Sequence, residues 1–409
     1  MGLSSNLEAS YGAANYLPLP VTLVRGKGVY LWDENDRRYL DMMGAYSAAS
    51  FGHCHPRLVR AMMRQAERLD TVSRAYFTDQ LGPFLARVCE LTGMDAALPA
   101  NSGAEAIETA LKAARKWAYK VKGVPADQAE IIAAEDNFHG RTITIVGFSS
   151  IAQYRDGFGP FTPGFKLVPF GNAAALEAAI TPNTAAFLIE PIQGEGGINV
   201  PPEGYLAEAA RICRAQNVLL LCDEIQTGLG RTGHLLACQH DSVKPDGIML
   251  GKALGGGLIP VSLFLAHREV MNVFSPGDHG STFGGNPVAA AVGLAALDTL
   301  VEEQLVERAA KQGAHLLSRL TAIRSPLIRE VRGRGLFAGV ELDKDKIQAT
   351  TIVERLLLKG ILTKETHRNT IRFAPPFTIE ECEIDWAIDR VAHVLDGNST
   401  GAIRSAATP

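Results

Sequence analysis

An aspartate and a lysine stand at the ends of two successive apolar runs. Asp223 closes Val218-Leu219-Leu220-Leu221-Cys222, and Lys252 follows Ile248-Met249-Leu250 by one glycine. Short apolar runs without alternation are what strands buried on both faces look like. Acid and amine therefore meet at the carboxyl ends of neighbouring strands, where open α/β sheets bind their ligands. A charge at such a place survives only with a partner. Desolvation lowers an amine's affinity for protons, so Lys252 can hold an aldehyde cofactor as a Schiff base. Asp223 can keep a ring nitrogen protonated, which makes the ring an electron sink. A structural salt bridge at Asp223 and an exposed lysine at 252 are the plainer alternatives. The Ala253-Leu254-Gly255-Gly256-Gly257 stretch after the lysine speaks against the second. The pairing points to pyridoxal 5'-phosphate chemistry.

Other segments carry compatible groups. Asn101-Ser102-Gly103-Ala104-Glu105 opens a helix with small residues, which suits either a capping turn or a phosphate seat. With Lys252 downstream, the phosphate seat is the stronger reading. Phe138-His139-Gly140-Arg141-Thr142, read as the start of a strand, offers an aromatic face for a flat ring and an Arg for a carboxylate. Core packing and a surface charge are the alternatives there. Glu195 lies on the Gly-rich loop after Ile189 and is either a solvated acid or a partner for an Arg or a substrate amine. Gln226 is within reach of the ring that Asp223 would hold. The Thr282 hydroxyl in Ser281-Thr282-Phe283-Gly284-Gly285 can bind phosphate or belong to a turn. Arg372, alone among apolar neighbours, is a carboxylate receptor, half of a buried ion pair, or each in turn.

The elements that position these groups alternate. Val29 to Trp32 and Arg38 to Asp41 flank a turn and predict a hairpin. Helical spacing runs over 58–69, 81–91 and 104–120. Apolar runs at 131–134, 142–146, 185–189, 218–222, 248–250 and 261–266 predict strands, with helices at 173–180 and 205–216 between them. That alternation predicts an α/β fold with a mostly parallel sheet flanked by helices. A long helix at 302–323, strands at 328–332 and 336–341, and a last helix at 379–395 predict a small α+β unit. The expected division is an N-terminal segment of the small domain (1–55), a large cofactor-binding domain (56–300), a C-terminal small domain (301–396) and a fraying tail (397–409).

Bulk properties exclude several classes. With 409 residues, two domains are expected. A net charge of −4 is too mild to suggest nucleic acid or an anionic membrane as partner. The apolar runs fall short of a membrane span. The polar start of the chain has neither a signal core nor an Arg-rich presequence. Six scattered cysteines without a framework spacing read as reduced thiols, which gives a cytoplasmic expectation. Cys54 between His53 and His55 is not a metal site, because three adjacent extended side chains cannot face one ion.

With these residues assembled, the chain resembles the class III, fold-type I aminotransferases that use pyridoxal phosphate, and within them the branch that transaminates ornithine at its δ-amino group. The likeness covers about 11–395. It includes Asn15 to Val21, Ala45-Tyr46-Ser47-Ala48, Asp156 to Phe161, Glu190 to Gly197 and Ile371 to Pro376. The resemblance implies that Lys252 carries the cofactor, Asp223 pairs with its ring nitrogen, Gln226 meets its phenolic oxygen and Phe138 stacks on its face. Ser102, Gly103 and Ala104 would cradle its phosphate, with Thr282 reaching the phosphate of the neighbouring subunit in a homodimer. Tyr16 and Arg141 would hold the α-amino and α-carboxylate end of L-ornithine, Tyr46 would line the pocket, and Glu195 with Arg372 would form a gate. 2-Oxoglutarate is the implied acceptor, in arginine breakdown or proline supply. The same fold serves acetylornithine and 4-aminobutyrate aminotransferases, for which Tyr16 and Tyr46 are the wrong pocket, and aminomutases, which need no external keto acid. Ile259, aliphatic where relatives often carry an aromatic, and Gly255, where several have Ser, depart from the pattern.

Overall fold

Strands that are apolar on both sides must be covered on both sides, and this sets the architecture. The computed structural model describes residues 3–396; the tail 397–409 lies outside the described residues. The N-terminal segment supplies β1 (Leu23–Lys27), β2 (Tyr30–Asp33) and β3 (Arg38–Asp41). The middle of the chain supplies β4 (Ala96–Ala100), β5 (Glu130–Ala134), β6 (Phe165–Val168), β7 (Thr184–Ile189), β8 (Leu219–Asp223), β9 (Gly247–Leu250) and β10 (Ser262–Ala266). The C-terminal part supplies β11 (Ile328–Arg334), β12 (Phe337–Leu342), β13 (Ile361–Leu362), β14 (Lys364–Thr366) and β15 (Thr370–Phe373).

The middle strands form one seven-stranded sheet in the order β4-β10-β9-β8-β7-β5-β6. All its neighbours from β9 to β6 are parallel, and β10 runs antiparallel to both β9 and β4. Every residue of β7, β8, β9 and β10 is buried. The helix Gly103–Trp117 covers one face and contributes Ile107, Leu111 and Trp117 to the core. The helix Tyr205–Ala215 belongs to the core on the other, with Leu206 and Ile212. Two four-stranded sheets complete the fold, β11-β12-β15-β14 and β1-β2-β3-β13. In the second, β13 pairs in parallel with β3, so hydrogen bonds join the two ends of the chain in the small α+β part.

Three expectations change. Thr142 to Val146 is not a strand: Ile143–Gly147 is a short helix that buries Ile145 and Val146 and leaves Ile143 exposed. Five β-branched and apolar residues are too few for periodicity to decide between helix and strand. The helix expected at 302–323 is Leu305–Ala322, and a separate helix absent from the sequence reading, Pro287–Glu302, precedes it across Gln304, which has φ 52. β4 and β6, absent from the sequence reading, close the sheet at its two edges. No helix among the described residues is long and apolar enough to cross a membrane. His53 bonds Asp41 at 2.7 Å, and His55 faces Glu303 at 3.4 Å.

Candidate active site

The carboxyl ends of β8 and β9 lie side by side, with Asp223 opposite Met249 in the register. Three residues on, Lys252 opens a tight turn, Lys252–Gly255, at φ 46. A non-glycine residue in the left-handed region costs on the order of 1 kcal/mol or more, held here by the buried turn around it. Lys252 lines two adjoining cavities. One, about 210 Å³, is bounded by Phe138, His139, Glu190, Asp223, Ile225 and Gln226. The other, about 370 Å³, is bounded by Asn101, Ser102, Gly103 and Gly257 to Val261. Burial at this floor pulls the Lys252 ammonium down to about 8, against the opposing pull of Glu195.

Asp223 is buried and spends both oxygens. Oδ1 accepts the Ile225 N–H at 3.0 Å, and Oδ2 lies 2.7 Å from Nδ1 of His139. Burial works against a charge on His139, yet the Asp223 carboxylate outweighs it and raises the imidazole above its ordinary value. His139 Nε2 is buried without a hydrogen-bond partner among the described residues. His139 stands in the Phe138–Thr142 segment, where the sequence alone assigns it no role. Glu190 was missed in the same way. Its carboxylate accepts the N–H of Phe138 at 2.9 Å and of Gly194 at 3.2 Å, and burial pushes its pKa up to about 7. The available signal was the one that marked Asp223, an acid directly after a buried strand.

At the helix Gly103–Trp117, Ser102 is the N-cap and forms a capping box with Glu105. The Glu105 carboxylate takes the N–H groups of Asn101 and Ser102 and the Ser102 hydroxyl. Ser102 is therefore already engaged, and the N–H groups of Gly103 and Ala104 are those without an intrahelical acceptor. A Cβ on Gly103 would come within 3.1 Å of Ile225, so glycine keeps the cradle open. Gln226 reaches the same cavity past Gly194, where a Cβ would lie 1.9 Å from its Oε1. These groups fit pyridoxal phosphate: an amine whose hold on its proton is weakened by burial, a buried acid for a ring nitrogen, apolar walls from Phe138 and Ile225, and free amides for a phosphate.

Glu195 and Arg372 meet in a bidentate pair, 2.6 and 2.8 Å, with Arg372 fully buried on β15. Burial alone would raise the Glu195 pKa, but Arg372 reverses this and holds it below the usual carboxylate value. The guanidinium also lies 5.0 Å from the ring of Tyr46. Tyr46 sits in a run of positive φ, with Ala45 at 47, Tyr46 at 58 and Ser47 at 74. That strained turn is tied down by Asp41, which accepts the N–H of Met43 and Gly44, and by the Ser50 hydroxyl on the Ser47 carbonyl. Arg141 is exposed on the loop before Ile143–Gly147. It lies 3.7 Å from the Tyr154 ring centroid and 5.4 Å from that of Phe138. Tyr16 is 76% exposed and lies close enough to Tyr46 for the two phenols to interact electrostatically. Thr282 alone of the predicted residues stays apart, lining a separate cavity with Thr71 to Arg74.

The model for class III aminotransferases matches residues 11–395. An ornithine aminotransferase from Geobacillus sp. (strain WCH70) is 55% identical over 391 residues, 96% of this chain and 98% of that protein. The one from Bacillus subtilis (strain 168) is 54% identical over 94% of this chain and 95% of its own. Among solved structures, ornithine aminotransferase from Toxoplasma gondii superposes with a TM-score of 0.94 at 46% identity, covering 96% and 94% of the two chains. An acetylornithine aminotransferase from Elizabethkingia anophelis gives 0.87 at 43%, covering 96% and 98%. With a strand-end lysine and aspartate in place and likeness running almost end to end, the chain belongs to the class III aminotransferases.

Proposed function

We propose that the chain transfers the δ-amino group of L-ornithine to 2-oxoglutarate, giving L-glutamate 5-semialdehyde, which cyclises to pyrroline-5-carboxylate, and L-glutamate. The observation that carries this reading is the closed Glu195–Arg372 pair. With Arg372 neutralised, the nearby guanidinium that meets no carboxylate among the described residues is Arg141. A substrate held by its α-carboxylate at Arg141 offers its distal amine, not its α-amine, to the Lys252 end of the cavity.

Pyridoxal 5'-phosphate, when bound, supplies a ring that draws electrons from the carbon bearing the reacting amine. The protein's part is positional and protonic. The turn from Ser102 to Ala104 would hold the phosphate, chiefly through the amides of Gly103 and Ala104. Asp223, fixed by His139 and the Ile225 N–H, would keep the ring nitrogen protonated, while Gln226 meets the phenolic oxygen and Phe138 lies on a face. Lys252 Nζ takes the proton from the substrate's δ-carbon. A value near 8 leaves a useful share of the amine neutral at working pH. In the second half-reaction, 2-oxoglutarate brings two carboxylates and needs two receptors. Glu195 then releases Arg372 for one while Arg141 takes the other.

Tyr16 and Tyr46 would receive the α-amine end, which suits free ornithine better than an acetylated or shortened donor. Exposed Tyr76, Phe77 and Phe283 near the cavity lined by Thr282 support a homodimer in which Thr282 completes the partner's phosphate site. Domain limits near residues 55 and 300, and a cytoplasmic location, complete the reading. The test is a panel of amine donors with 2-oxoglutarate, following the o-aminobenzaldehyde adduct of the cyclised product. Ornithine should exceed N-acetylornithine and 4-aminobutyrate, and turnover should stop without the keto acid. Preference for the acetylated donor, or turnover without 2-oxoglutarate, refutes the proposal.

A further inference from the structure

Tyr154 has no part in the chemistry above, yet it touches both ends of the substrate site. It sits on the short helix Ala152–Arg155, which packs beside Ile143–Gly147. Its ring carries the Arg141 guanidinium at 3.7 Å from the centroid, and it meets the Phe138 ring edge-on, 6.1 Å between centroids at 81°. Its hydroxyl lies 2.9 Å from Nε2 of His367. His367 follows Thr366, whose hydroxyl donates to the Glu195 carbonyl at 2.6 Å, and the His367 N–H points to the same oxygen at 3.4 Å. Tyr154 and His367 together thus link the Arg141 guanidinium to the backbone that carries the gate carboxylate.

We infer that Tyr154 is a specificity-determining residue: its ring fixes Arg141 as the receptor for the substrate's α-carboxylate, and its hydroxyl, through His367, couples that receptor to the backbone of Glu195. The inference rests on the roles proposed above for Arg141 and Glu195. An arginine on an exposed loop has many rotamers, and a stacked ring with a held hydroxyl reduces them before the substrate arrives. The rings of Tyr154 and His367 also meet edge-on, 5.9 Å between centroids, but a tyrosine serves where phenylalanine would not, because only the hydroxyl can hydrogen-bond to His367 Nε2.

The experiment compares ornithine with 1,4-diaminobutane, which lacks the α-carboxylate, in Tyr154→Phe, Tyr154→Leu, His367→Ala and the Tyr154→Phe/His367→Ala pair. Tyr154→Phe loses one hydrogen bond and should raise KM for ornithine about fivefold with kcat little changed. Tyr154→Leu also loses the stacking, and about tenfold or more is expected. KM for the diamine should stay put in both. The double variant should be no worse than the worse single one. Amide hydrogen exchange, a readout independent of turnover, should quicken at 194–197 and 366–367 in Tyr154→Phe. Equal penalties for the two donors, additive penalties in the double variant, or unchanged exchange overturn the inference. Arg141→Met separates the two levels. If it leaves discrimination between the donors intact, the role of Arg141 itself is wrong. If it abolishes discrimination while both Tyr154 variants retain wild-type KM, only the inference about Tyr154 falls.

Discussion

Replacing Glu195 by Ala tests the gate most directly, and the structure sets its size. Arg372 is fully buried, gives both terminal nitrogens to Glu195 and has a buried Nε without a partner among the described residues. Removing one member of a buried ion pair costs about 3–5 kcal/mol when nothing replaces it. Glu195 keeps 20% of its side chain accessible, so water or a substrate carboxylate can enter the space it leaves. A discounted figure of about 2 kcal/mol is what an incoming α-carboxylate gains by pairing with the freed guanidinium. At 1.4 kcal/mol per factor of ten, the ratio of δ- to α-transamination should fall roughly thirtyfold. The assay runs ornithine with 2-oxoglutarate for the δ-reaction, and an α-amino acid donor without a distal amine for the α-reaction, on the same preparation. Glu195 has its pKa held below the ordinary value, so it is ionised throughout the neutral range and the wild-type ratio should be flat there. Its protonation belongs to acid conditions below the usual carboxylate value, so the release of Arg372 during turnover is a displacement by the substrate carboxylate and not a titration. An unchanged ratio in Glu195→Ala, or a wild-type ratio that shifts across neutral pH, would show that this carboxylate does not gate Arg372.

Further outcomes follow from single contacts. Lys252→Ala should abolish both turnover and the visible absorbance of the bound cofactor; persistence of both would misplace the site. In wild-type protein freed of cofactor, the rate of cofactor uptake should climb as pH rises through about 8, because only the neutral Lys252 amine attacks an aldehyde, and a flat stopped-flow profile would count against it. Gly194→Ala places a methyl where Gln226 Oε1 now lies, so the flexible glutamine must move: folding should survive with a small change in melting temperature, while cofactor affinity falls about tenfold by equilibrium dialysis. His139→Leu removes the partner of Asp223 Oδ2, and the cofactor should dissociate faster than from wild type, with the loss larger than in His139→Asn if the hydrogen bond is what matters.

What the sequence shows depends on where each element sits in the sheet. The interior strands β7 to β10 are wholly buried, so their residues are constrained to be apolar and the runs stand out. β4 and β6 are the two edges, partly exposed, with Pro99 inside one and Lys166 inside the other. An edge strand tolerates proline and lysine, and that dilutes the apolar signal. The helix Pro287–Glu302 escaped for the opposite reason. It packs against helices Pro56–Ala66 and Leu81–Thr92 and is buried on most sides, so its apolar residues show little periodicity.

The site divides along the same physical line. Asp223, Lys252 and Glu190 each lie at or just past the end of a buried strand, where a charged residue is conspicuous against its neighbours. Their partners are not conspicuous. His139 is 84 residues from Asp223, Arg372 is 177 from Glu195, and His367 is 213 from Tyr154. Each of these pairs joins different strands or loops, and no local pattern carries such a distance. Arg372 was nevertheless readable as a receptor or half of an ion pair, because a lone guanidinium on an apolar strand must be one or the other. The structure has it as half of a pair, and the reaction proposed here requires it to be a receptor as well. A guanidinium that alternates between a protein carboxylate and a substrate carboxylate lets one cavity accept a diamino acid and a dicarboxylic acid in turn, without a buried charge ever standing unpaired.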